Sequence, residues 1–133
     1  MATHARLLRA PIFCPSIAAF PCGMLVNVPL HYSQLSAGID GKAVHAALTA
    51  HFGGEQFVRV HPLNSTDDLR RGAFLTAHTA SGDNSLELFV WDNPAAGTCL
   101  ITARLDNLGK GASGQAVQNM NILLNVPEST GLV

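Results

Sequence analysis

Residues 85–105, SLELFVWDNPAAGTCLITARL, decide the fold of this chain. Two runs rich in β-branched, aromatic and aliphatic side chains, 85–92 and 98–105, flank Asn-Pro-Ala-Ala-Gly. That is the pattern of a β-hairpin: the apolar runs suit a pleated, half-buried surface, while Pro94 and Gly97 set the turn. Working outward, GMLVNVPLH at 23–31 reads as a further strand, and Pro29, which lacks an N–H, puts its end near a sheet edge or bulge. GKAVHAALTAHF at 41–52 spaces Val44, Ala47, Leu48 and His51 or Phe52 as a helix of about three turns. Asp40 can cap it, and Gly53 and Gly54 end it. EQFVRVHPL at 55–63 alternates Phe57, Arg59 and His61 against Val58 and Val60, a strand stopped by Pro62. NSTDDLRRG (64–72) reads as a polar loop with a single helical turn, AFLTAHTA (73–80) as extended, and SGDN (81–84) as a turn. A last helix is expected at about 112–124, with Ala116, Val117, Met120, Leu123 and Leu124 on one face. The sum is one α+β domain over residues 1–133, a mainly antiparallel sheet with helices on one face.

Composition narrows the function classes. The net charge is −1, so nothing steers the chain toward nucleic acid or an anionic membrane. No apolar run approaches the roughly 18 residues a membrane span needs, and no membrane partner is expected. The N-terminal apolar stretch is broken by Arg9, Pro11 and Pro15, which does not make a secretory segment. Three cysteines (Cys14, Cys22 and Cys99), without C-x-x-C spacing, fit reduced thiols in the cytoplasm better than a disulfide framework. Only 13% of residues are charged and 47% are hydrophobic, where ordinary usage is about 25% charged. A small domain has much surface per unit volume, so the shortage of charge implies apolar surface kept for a partner; a compact Ala- and Gly-rich domain is the plainer alternative.

Past the hairpin, DNLGKGASGQAVQNMN at 106–121 holds Gly109, Gly111 and Gly114 as G-x-G-x-x-G between a strand and a helix. A dinucleotide-binding fingerprint also needs a second parallel strand carrying an acid about 20 positions on. Only 19 residues follow Gly114, and they hold Glu128 but no apolar strand, so that reading fails. What remains is a glycine turn opening a helix, whose N–H groups could meet an anion or an amide, or which simply brings a small-residue helix face against a sheet. Six histidines raise the question of metal, yet His45 and His51 do not share a helix face and no H-x-x-x-H occurs; no metal site is expected. Cys99 sits in a predicted central strand, Cys14 and Cys22 lie beside prolines, and no G-x-S-x-G elbow is present, so no catalytic residue is assigned. Phe89 and Trp91 read as core or interface aromatics.

The run ARLDNLGKGASGQAVQNMNILL, with FPCGMLVNVPLH, HAALTAHFGGEQFVRVHPL and GDNSLELFVWDNPAAGTCLI in the same order, resembles the C-terminal part of N-acetyl-γ-glutamyl-phosphate reductases in their shorter bacterial form. The resemblance covers residues 11–125; aspartate-semialdehyde dehydrogenases share the architecture and a related turn. It implies an NADPH-dependent oxidoreductase of arginine biosynthesis, turning an acyl phosphate into a semialdehyde with a thiolate nucleophile and a histidine acid/base. It further implies that this domain supplies the dimer interface, and that the last helix returns to pack on a Rossmann domain. By resemblance Asn107 meets the nicotinamide carboxamide, and Gly109, Lys110 and Gly111 shape the turn around it. The Rossmann segment, nucleophile context and histidine motif of the family are not in this sequence, so the chain reads as a fragment, inactive alone. Expected partners are a second copy, a Rossmann-domain polypeptide or an intact reductase. The alternative functions are a non-catalytic dimerisation module and an independent small-molecule binder using the same turn.

Overall fold

The structure is a computed structural model that describes residues 3–4, 7–77 and 84–132. The turn read at 81–84 and the end of the stretch read at 73–80 therefore lie largely outside the described residues. Strand β5 (Leu86–Asn93) and strand β6 (Thr98–Leu105) form the hairpin in the register Leu86↔Leu105 to Asn93↔Thr98. Between them, Pro94–Ala96 make one tight turn: Asn93 accepts from Ala96 N–H at 3.2 Å, and Gly97 takes the left-handed conformation (φ 62°) that its missing Cβ permits. Strand β1 (Met24–His31) lies antiparallel on the far side of β6. Strand β2 (Val58–Val60) pairs parallel with β5, giving a mixed sheet of order β1-β6-β5-β2. Pro29 falls on the edge strand, where its lost donor costs no ladder bond.

Helix α1 (Gly41–Phe52) begins as read, with Asp40 accepting from Ala43 N–H at 2.8 Å. It covers the sheet face that carries Leu88, Val90 and Cys99. Its first turn meets the end of that face, where a Cβ on Gly41 would collide with the Asp92 carboxyl group, itself bonded by the Tyr32 hydroxyl. The glycine lets a carboxylate reach the positive end of the helix.

Residues read as loop and extended chain supply a small hairpin, β3 (Leu69–Arg70) with β4 (Phe74–Leu75). It lies in the crossover from β2 to β5, on the sheet face opposite α1. Strand β2 is shorter than the 55–63 expected, because it has one neighbour and Pro62 follows it.

Helix α2 (Gly114–Leu123) starts two residues later than the expected 112, after a turn of wider pitch at Gly109–Ser113. Its apolar face is not the one that packs on this chain. Gly114, Gln118 and Asn121 point inward, while Met120, Leu123 and Leu124 are exposed, Leu123 at 86%. The inward stripe is polar because it packs on polar groups: Asn84 at the start of β5 and the chain that follows the helix.

Candidate functional site

The turn at 106–113 closes by bonds between residues five apart: Gly111 N–H donates to Asp106 O at 2.8 Å and Ser113 N–H to Leu108 O at 3.1 Å. Two of the glycines have a clear steric reason. A Cβ on Gly109 would sit 3.1 Å from Asp106 Oδ2, and one on Gly111 3.4 Å from Asp106 O. One on Gly114 would fall onto Asn84 Oδ1 and 3.0 Å from Gly109 O. Gly109 and Gly114 of the G-x-G-x-x-G spacing are thus consumed by the chain's own close approaches, whereas Gly111 stands at ordinary contact distance.

Asp106 is buried, and its Oδ1 accepts from Leu108 N–H at 2.8 Å. A carboxylate already holds the N–H end of the turn, so a phosphate arriving there would meet like charge. The site suits a neutral polar group.

Asn107 follows. Its Oδ1 accepts from Gly23 N–H at 2.7 Å, a bond spanning 84 positions that ties the start of β1 to the turn. The side chain also borders a pocket of about 230 Å³ with Ile17, Phe20, Cys22 and Met24. With one lone pair committed, the amide offers its N–H2 donors, so its simplest partner is a carbonyl oxygen.

Lys110 goes the other way. It is buried; its Nζ donates to Gln118 Oε1 at 2.6 Å and lies 5.5 Å from the centre of the Phe57 ring. Burial pushes its ammonium below the ordinary lysine value, opposed by the charge of Glu128. Lys110 therefore braces the turn from beneath.

A second polar cluster was not anticipated. Arg104 Nε donates to Glu87 Oε2 at 2.6 Å, and its Nη2 to Glu87 Oε1 at 2.9 Å and Asp68 Oδ1 at 3.0 Å. His61 lies between the same carboxylates, 3.0 Å from Glu87 and 3.2 Å from Asp68, stacked on Phe89 with centroids 4.1 Å apart. Burial alone would raise the Glu87 carboxyl, but Arg104 and His61 outweigh it and hold it below the usual range. The cluster pins the crossover hairpin to the sheet. Its signal in the sequence was the hairpin register, which sets Glu87 directly opposite Arg104.

Of the other candidates, His45 bonds the His61 carbonyl at 2.9 Å and His51 packs edge-on against Phe52. Cys99 is buried in β6, where burial raises its thiol and makes it a poor nucleophile. Among the described residues no three His, Cys, Asp or Glu side chains gather as metal ligands, and no helix is long and apolar enough to cross a membrane.

Comparison with known proteins follows the same lines. The family model of the semialdehyde dehydrogenase dimerisation domain matches residues 2–107. A protein of Nostoc sp. named N-acetyl-gamma-glutamyl-phosphate reductase 2 is 44% identical over 99% of this chain and 41% of its own length. The N-acetyl-gamma-glutamyl-phosphate reductase of Rhizobium leguminosarum bv. trifolii is 46% identical over 93% of this chain and 39% of its own. That of Trichormus variabilis is 43% identical over 99% and 41%. The chain thus spans about two fifths of the curated relatives it matches.

Proposed function

Because this chain belongs to the semialdehyde dehydrogenase dimerisation-domain family, we propose that it is the subunit-joining part of a cytoplasmic, NADPH-dependent N-acetyl-γ-glutamyl-phosphate reductase. The observation that carries the reading is identity of 44% to such a reductase along 99% of the chain. NADPH would supply the hydride that releases the semialdehyde from a thioester formed on a cysteine of the other domain. This chain's own contribution is positional. Asn107 donates from its amide to the nicotinamide carboxamide oxygen, while Gly109 and Gly111 keep the turn narrow and Lys110 braces it. The Asp106 carboxylate favours the neutral nicotinamide end of the cofactor over its phosphates.

Two apolar rows support the assembly. Val26 and Val28 on β1, each 43% exposed, lie beyond the cover of α1 and would meet a second copy. Met120, Leu123 and Leu124 on α2 would meet the Rossmann domain. Alone, the chain is inactive.

The test is native mass spectrometry of the chain purified with its partners, followed by assay of NADPH-dependent acyl-phosphate reduction. A co-purifying Rossmann polypeptide with that activity supports the reading. A bare homodimer without activity replaces it with the non-catalytic dimerisation module. In an active assembly, Asn107→Ala should raise KM for NADPH about tenfold, the loss of one hydrogen bond of about 1.4 kcal/mol.

A further inference from the structure

The chain after α2 folds back along the helix. Asn121 Nδ2 donates to Glu128 O and to Thr130 O, each at 2.9 Å, and the Thr130 hydroxyl donates to Pro127 O at 2.7 Å. Gln118 Nε2 donates to Glu128 Oε1. The same Gln118 accepts through Oε1 from Lys110 Nζ at 2.6 Å and from Asn84 Nδ2 at 3.1 Å. One amide thus joins a buried ammonium to a carboxylate on the returning chain. An amide suits this relay because it accepts on one side and donates on the other. The buried ammonium is costly unless such a partner answers it.

We infer that Gln118 and Glu128 are positioning residues: the segment after α2 acts as a strap whose carboxylate, relayed through Gln118, holds Lys110 beneath the 106–113 turn and so fixes where Asn107 presents its amide. The consequence for cofactor rests on the reading of Asn107 given above. The mechanical part does not, and the test uses it.

Amide hydrogen exchange of residues 107–113 is measured on the whole chain with Glu128→Ala and with Glu128→Gln. The strap predicts exchange at least tenfold faster in the turn for Glu128→Ala, with β5 and β6 protected as before. Glu128→Gln keeps an acceptor and restores most of the protection. The charge has its own readout. Lys110 faces the Phe57 ring, Gln118 and, through it, Glu128, so removing the carboxylate in Glu128→Gln should let its side chain lose its proton at lower pH, followed by carbon NMR of its ε position. Unchanged turn exchange in Glu128→Ala overturns the inference, as does a Lys110 titration that ignores Glu128→Gln. Because no cofactor enters either measurement, a wrong nicotinamide assignment leaves both results standing.

Discussion

Replacing Gly114 with alanine tests whether the third glycine of the motif serves packing or a ligand. In most helices the change helps, since alanine is favoured over glycine by about 1 kcal/mol. Here the new methyl falls onto Asn84 Oδ1, with Gly109 O only 3.0 Å away. Asn84 is 3% exposed and has little room to retreat. Overpacking of this kind costs about 1–3 kcal/mol. If Asn84 swings aside it also gives up its bond to Gln118, leaving buried polar groups unpaired at about 1–3 kcal/mol. Against the helix gain, the net loss is about 3 kcal/mol, or roughly 10 °C in melting temperature for a domain of this size. Urea unfolding of Gly114→Ala, Asn84→Ala and the double variant measures it. The second alanine removes the nearer obstacle and leaves only Gly109 O, so in the Asn84→Ala background Gly114→Ala should cost markedly less than in the parent. A single variant as stable as the parent, or an equal loss in both backgrounds, would refute the packing argument.

Arg104→Met leaves Glu87 buried without its main partner and should cost about 3–5 kcal/mol in urea, much of it recovered in Arg104→Met/Glu87→Leu. Glu87 is held below its ordinary value, so its contribution is fully present above about pH 4.3 and is lost as pH falls through the lower folded-state value. Stability curves between about pH 5 and pH 3 should therefore fall more steeply for the parent than for Glu87→Gln. Val26→Lys sets a charge in the exposed row of β1 and should dissociate the assembly by light scattering while leaving the monomer's circular dichroism unchanged.

What could be read in the sequence was local. The hairpin 85–105 and the helix at 41–52 follow from two apolar runs joined by Pro94 and Gly97, a helical spacing and a capping aspartate, all set by neighbours within a few residues. The Glu87–Arg104 pair is legible once the hairpin register is known. Asp68 and His61 join it only because the crossover folds onto the same face, which no local pattern encodes. The same limit hid the partner of Asn107. The residue was singled out by resemblance, but the Gly23 N–H that claims one of its lone pairs lies 84 positions upstream. The spacing of Gly109, Gly111 and Gly114 was legible as a turn, whereas the reason for Gly109 and Gly114, the approach of Asp106 and Asn84, needed the fold.

The way helix α2 lies bears on function. Periodicity placed its apolar residues on one face, and within this chain that face points outward. Turning it inward would bury Met120 and Leu123, worth about 1.5–3 kcal/mol each. It would also tear Gln118 and Asn121 from five hydrogen bonds with Asn84, Lys110, Glu128 and Thr130. Buried groups left unpaired cost about 1–3 kcal/mol apiece, so the polar arrangement holds the helix where it is. The apolar stripe is then a standing cost in the lone chain and a gain for whatever covers it. Low charge content, the exposed row on β1 and the outward stripe of α2 go together: the domain keeps its strongest polar contacts for itself and leaves apolar side chains on its surface.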